Sequence, residues 1–133
     1  MDTFSYKQLI AVPKGFSNSM MWNFSHAVIV HQLLIYGLSG NENHLEKDTI
    51  QLFKKGSTGD EVLSEEDFNS FKIKSLSVLE DLSRDYERIC KTPFSPYMTG
   101  LNVELTNVDE AIEFNNMHET LHLGVMLSIS KFV

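Results

Sequence analysis

The sequence predicts one all-α domain, residues 1–133, folded as an antiparallel helical bundle. Three observations favour this fold. In three long segments hydrophobic residues recur at spacings of three and four, which places them on one helix face. Residues that cap helices precede these segments, and glycine or proline follows two of them. No segment has a strong strand pattern, and 133 residues is the length of a single domain.

The first two segments predict a lead-in and a strong helix. Residues 1–15 are expected to be extended, with at most one helical turn, because Pro13 and Gly15 end the stretch. Residues 19–38 are expected to be helical, with Ser19 as the N-cap and Gly40 as the stop. The inward face of this helix is predicted to carry Trp22, His26, Ile29, Val30, Leu33 and Gly37.

The middle of the chain predicts a short helix over residues 46–55, a loop over 56–59 and a long helix over 65–90. Ser64 caps the long helix, with Asp67 three residues later as in a capping box, and Pro93 closes it. Its apolar stripe is predicted to contain Phe68, Phe71, Leu76, Leu79, Leu82, Tyr86 and Ile89.

The end of the chain predicts the bundle's one long crossover and its last helix. Residues 93–106 form the longest irregular connection, with an extended piece at 101–105. The last helix is expected over residues 108–131, with Asn107 as its N-cap. Its core face is predicted to contain Val108, Ala111, Ile112, Asn115, His118, Glu119, His122, Val125, Met126 and Ile129.

Charge and composition exclude several classes of protein. The net charge of −7 disfavours binding to nucleic acid or to an anionic membrane surface. No run approaches the ~18 apolar residues that span a bilayer, and the N-terminus lacks a signal-peptide pattern. Cys90 is the only cysteine, so an intramolecular disulfide and a cysteine zinc site are excluded. Because Cys90 lies at a helix C-terminus, where the helix dipole disfavours the thiolate, it is a poor nucleophile. The lack of membrane and signal segments leads us to expect a cytoplasmic protein.

Three histidines carry the chemistry that the sequence suggests. His118 and His122 lie one helical turn apart on a face that is otherwise apolar, and His26 lies on the inward face of another helix. Buried imidazoles need partners, which either a metal ion or ordinary hydrogen bonds in the core could supply. Three histidine ligands would leave a coordination position open, as in catalytic sites. Imidazole suits zinc, nickel, copper or iron, and the residues do not choose among them. Our expectation for the cofactor is zinc or nickel.

Other polar residues have two interpretations each. Glu119 could accept a hydrogen bond near the metal or carry a proton, or it could form a surface salt bridge. Asn115 could hydrogen-bond a ligand water, or it could be a buried amide. His31 is predicted to face solvent or an interface, and His44 is predicted to be exposed. Trp22 either walls the site or belongs to the core.

Two stretches of the sequence resemble a known family. WNFSH at residues 22–26, followed by QLLIYGLSG at 32–40, is similar to the metal helix of the DinB-like (YfiT-like) metalloenzymes. NNMHETLHLG at residues 115–124 resembles their HxxxH helix. The resemblance covers the chain from about residue 10 to the C-terminus. It implies that His26, His118 and His122 bind one divalent metal ion.

The resemblance also carries expectations about architecture and activity. Relatives begin with a full-length helix, which residues 1–10 are too few to form. The first helix is therefore expected to be shortened or missing, either by truncation or because a partner covers the groove. It implies a homodimer and a metal-dependent thiol S-transferase or hydrolase, with a small-molecule substrate such as a low-molecular-weight thiol. The alternatives are a non-catalytic, stress-related protein with a structural metal or none, and a dimeric interaction module.

Overall fold

The computed structural model describes residues 1–57 and 62–133, and within them it confirms the all-α fold. Its helices are α1 (Tyr6–Ile10), α2 (Met20–His31) with a π-helical turn at Gln32–Gly37, α3 (Lys47–Phe53), α4 (Glu65–Ile89) and α5 (Val108–Ile129). The two-residue strands β1 (Tyr97–Met98) and β2 (Glu104–Leu105) pair antiparallel within the predicted irregular connection, with Tyr97 opposite Leu105. The first helix, α1, is shortened to five residues, as expected.

The centre of the fold is α2, which packs against α1, α3 and α5. Its N-terminus begins as predicted, because the Ser19 hydroxyl accepts a hydrogen bond from the Trp22 backbone N–H at 3.1 Å. Most of its side chains are buried, including Met21, Trp22 and Ile29. A helix surrounded in this way has no solvent face, so its polar residues are also buried.

The π-helical turn corrects the predicted inward face of this segment. Gly37 is exposed and Leu33 only partly buried, whereas residues 34–36 are buried. Leu33 accepts a hydrogen bond from the backbone N–H of Leu38, five residues later, at 3.2 Å. This wider turn rotates the following side chains away from the α-helical pattern, and residues 34–36 therefore face inward. Gly40 (φ 68°) then ends the segment in the left-handed conformation, as predicted.

The two other long helices have the predicted N-caps. Ser64 accepts from the Asp67 backbone N–H at 3.1 Å, and Asn107 accepts from the Glu110 backbone N–H at 3.0 Å. Their side chains Phe68, Phe71, Ile89, Val108, Ala111 and Ile129 lie in the core.

Three residues predicted to lie in the core are exposed, one of which is Tyr86 of α4 at 39%. Leu76 of α4 is 77% exposed, because α4 is separated from α2 and α5 by a groove of about 730 Å³. Val125 of α5 is 37% exposed. The side chain of Leu79, which was predicted to lie in the stripe, is outside the part of the chain that the structure describes. Residues 58–59 of the predicted loop are also outside the described residues. In the described parts of the chain, no helix is long and apolar enough to cross a membrane.

Candidate metal centre

The packing of α2 against α5 brings His26, His118 and His122 together. One ring nitrogen of each histidine lies within 4.8 Å of the corresponding nitrogen of the other two. The ring centroids of His26 lie 5.3 Å from His118 and 4.9 Å from His122. Residues 92 and 96 positions apart in the sequence therefore form one cluster of neutral nitrogen donors. Within the described residues, this cluster is a group of side chains that could hold a metal ion.

Hydrogen bonds fix which nitrogen two of these imidazoles offer. His26 Nδ1–H donates to the carbonyl oxygen of Phe53 at 2.6 Å. His122 Nδ1–H donates to Asn23 Oδ1 at 2.8 Å. The orientation of the Asn23 amide is set in turn, because its Nδ2 donates to the Ser19 carbonyl at 2.8 Å. With Nδ1 protonated in both rings, Nε2 keeps its lone pair for a metal ion, as in most protein metal sites.

The spacing between the two histidines of α5 tests whether the cluster fits a metal ion. His118 Nε2 and His122 Nε2 lie 3.2 Å apart. Two imidazole nitrogens on one tetrahedral zinc ion are roughly 3.3 Å apart, from Zn–N bonds of about 2.05 Å. Across the described chain, the buried Nδ1 of His118 has no hydrogen-bond partner. The donor type and the spacing therefore both fit a divalent transition metal.

Burial keeps these side chains neutral at physiological pH. Desolvation lowers the pKa of His118 to about 4, with further lowering by His122 and His26. Desolvation, followed by His26, lowers the pKa of His122 to about 4. Desolvation also lowers the pKa of His26, partly offset by its bond to the Phe53 carbonyl. Neutral imidazole is the form that binds metal, so these environments favour ligation without a change in protonation.

Two aromatic side chains support the cluster. The indole of Trp22 stacks on the His26 ring, with centroids 4.5 Å apart and planes 12° apart. Trp22 Nε1 donates to Ser57 Oγ at 2.9 Å, which fixes the indole in place. On the other side, Phe114 stacks on His118 at 6.3 Å and 20°. Trp22, which the sequence left open between site and core, is buried and contacts a histidine of the cluster.

A comparison with protein-family models decides the family. The model of the DinB superfamily matches residues 1–126. The chain belongs to the DinB superfamily. No curated protein matches the sequence significantly. In this DinB-superfamily chain, the three histidines named from the sequence are the three that the fold brings together.

The other two candidate residues lie beside the cluster on α5. Asn115 is buried and its Nδ2 donates to Glu119 Oε1 at 2.7 Å. Glu119 lines the groove between α2, α4 and α5, whereas none of the three histidines does. No hydrogen bond within the described residues joins either side chain to the three imidazoles. Asn115 and Glu119 therefore contact each other and do not complete the set of nitrogen donors.

Two further histidines differ from the sequence expectation. His31 is only 2% exposed within the single chain, so its prediction as facing solvent or an interface is wrong. The reason is that α2 is surrounded by other elements, and burial lowers the pKa of His31 to about 4. His44 was expected to be exposed but is half-buried, with its Nε2 3.6 Å from Asp85 and its ring edge-on to Tyr36.

The sequence analysis missed two partners of the cluster. Asn23 precedes His26 by three residues, which places both on one face of α2. A polar side chain on that inward face was the signal that could have identified it. The second partner is the backbone carbonyl of Phe53. Any residue supplies a carbonyl, so no sequence signal marks this position.

Proposed function

We propose that this protein is a metal-dependent enzyme with a divalent transition metal, zinc or nickel, on His26, His118 and His122. The observation that carries the proposal is the convergence of three ring nitrogens within 4.8 Å, two of them with Nδ1 already engaged. Burying three imidazoles costs free energy unless their nitrogens have partners, and a metal ion would supply those partners. The DinB superfamily match supports the same interpretation.

The chain's own residues would hold and orient the metal. A bound ion would supply Lewis-acid activation of a nucleophile such as water or a thiol. Phe53 and Asn23 fix the ring orientations of His26 and His122, and Trp22 covers one face of His26. Three protein ligands leave room for a further ligand, which favours a catalytic over a structural site.

We further propose thiol S-transfer or hydrolysis of a small molecule as the reaction. This choice rests on the family resemblance of residues 22–40 and 115–124. Glu119 is the candidate for proton transfer, and Asn115, whose Nδ2 donates to Glu119 Oε1 at 2.7 Å, is the candidate for a hydrogen bond to a ligand water. A low-molecular-weight thiol would be a co-substrate, and we expect the protein in the cytoplasm.

Turnover assays test the proposed reaction. Protein loaded with zinc or with nickel would be assayed for displacement of chloride from 1-chloro-2,4-dinitrobenzene by a thiol and for hydrolysis of 4-nitrophenyl acetate. The control is the double variant His118→Ala, His122→Ala at the same metal concentration. We expect metal-dependent turnover in one assay that the double variant lacks. Stoichiometric metal binding without turnover of either substrate would favour the non-catalytic alternative.

We also propose that the protein forms a homodimer through the side of the molecule that carries the groove. Leu76 and Leu127 line the groove and are each more than half exposed. Contiguous apolar patches of this kind usually mark an interface. Sedimentation velocity tests this proposal: the wild type should sediment as a dimer and Leu76→Glu as a monomer. If the wild type is still monomeric at a protein concentration of about 100 μM, the proposal is contradicted.

A further inference from the structure

Apolar side chains line one side of the histidine cluster. Leu121 follows His118 by three residues, and Val125 follows His122 by three, so each lies beside a histidine on the surface of α5. Leu121 is 53% exposed and Val125 37%. Together with Met117 and Phe114, which stacks on His118, they form a stripe that we call the apolar rim. The rim runs roughly 16 Å along the helix from residue 114 to 125.

The histidine cluster offers neutral nitrogen ligands, and none of its partners among the described residues is charged. Its hydrogen bonds go to the Phe53 carbonyl, to the Asn23 amide and between two imidazoles. In residues 1–57 and 62–133, no ion pair involves any of the three histidines. A divalent ion on three neutral ligands keeps its full charge of about +2, which an anionic ligand neutralises best.

These two observations together indicate what the site would recognise. We propose that the histidine cluster takes a small organic anion with an apolar body, the anionic head at the metal and the body along the apolar rim. This inference rests on the proposed metal site and narrows its substrate class. The head would gain from the uncompensated positive charge, and the body would cover side chains that are otherwise exposed to water.

A series of straight-chain carboxylates tests the inference, because the head stays constant while the apolar body grows. The protein would be loaded with Co²⁺, whose visible absorption bands report changes in coordination. It would be titrated with acetate, butanoate and hexanoate at constant ionic strength. The alkyl tail of a carboxylate that lies on the open apolar rim buries about half of its surface, so each methylene should strengthen binding about twofold. Hexanoate should therefore bind roughly 15-fold more tightly than acetate.

The chain offers a matched pair of variants. Leu121 belongs to the rim, whereas Leu123 lines the groove on the other side of α5, and their side chains are 53% and 52% exposed. Leu121→Ser should reduce the preference for hexanoate to less than about fivefold, whereas Leu123→Ser should retain it. Both substitutions are at exposed positions, and circular dichroism checks that both variants fold.

Each other outcome overturns a defined part of the argument. Equal binding of acetate and hexanoate would overturn the inference and leave the metal site intact. A chain-length preference that Leu121→Ser retains would place the tail elsewhere and also overturn it. If sedimentation velocity shows that Leu121→Ser dissociates a wild-type dimer, the rim is a subunit interface and the inference fails. Absence of Co²⁺ bands in the wild type would overturn the proposed metal site itself.

Discussion

Replacing Asn23 should weaken metal binding although Asn23 is not a ligand. Its Oδ1 accepts the Nδ1–H of His122 at 2.8 Å, and its Nδ2 is anchored on Ser19 at 2.8 Å. Asn23→Leu keeps a similar volume but removes the acceptor. His122 would then be free to rotate or to place its proton on Nε2, the nitrogen that the metal needs. Loss of such an outer partner weakens metal binding by about 10- to 100-fold, or about 1.4–2.7 kcal/mol.

The assay is competition for Zn²⁺ with a chromophoric chelator at pH 7.5. Asn116→Leu is the matched control, because Asn116 is an exposed asparagine on α5. Asn23→Asp retains an acceptor oxygen and should recover most of the affinity. Circular dichroism and thermal unfolding confirm that each variant is folded. Wild-type affinity in a folded Asn23→Leu protein would refute the reasoning that this hydrogen bond positions His122.

Three further predictions concern pH, metal removal and the acidic candidate. The folded pKa of His31 is about 4 and its unfolded pKa about 6.5, so its contribution to stability is full above pH 6.5 and is lost as pH falls towards 4. The free energy of unfolding of the metal-free protein would be measured in urea at pH 7.5 and pH 5. Between these pH values it should fall by about 2 kcal/mol more in the wild type than in His31→Gln, and an equal fall in both proteins would contradict this. When free zinc is held at about 100 times the Kd of the site, removing it with EDTA should lower the melting temperature measured by calorimetry by about 10 °C. An unchanged melting temperature would argue against zinc binding to the folded state. Glu119→Gln should bind Zn²⁺ as the wild type does in the same chelator competition, because Glu119 contacts Asn115 and not the cluster; a lower affinity would make Glu119 a ligand.

The helix boundaries and the shared inward face of the candidate histidines could be predicted because both depend on local pattern. Ser19 and Asn107 are caps whose effect extends only three residues along the chain. His118 and His122 share a face because of helical spacing alone. His26 could be included because its helix face was also apolar. These signals are carried by residues close together in sequence, and the structure retains them.

The features that the sequence did not predict depend on tertiary packing or on an irregular helical turn. His31 is buried because α2 lies at the centre of the fold, which the sequence of α2 does not specify. Gly37 is exposed because the π-helical turn changes the angular spacing of the helix. Asn23 is a partner of the cluster only because α5 returns to it, 99 residues later. For His31 and Asn23 the deciding contacts join distant parts of the chain, whereas the π-helical turn at Gly37 is a local feature of the backbone.

The most direct test of the central claim is the metal content of the purified protein. Wild type and the His118→Ala, His122→Ala variant would be incubated with zinc, nickel and manganese, separated from free ions and measured by elemental analysis. Circular dichroism would confirm that the variant remains helical. We expect about one equivalent of a transition metal per chain in the wild type and a large loss in the variant. No metal in the wild type, or equal metal in both proteins, would contradict a metal centre on these three histidines.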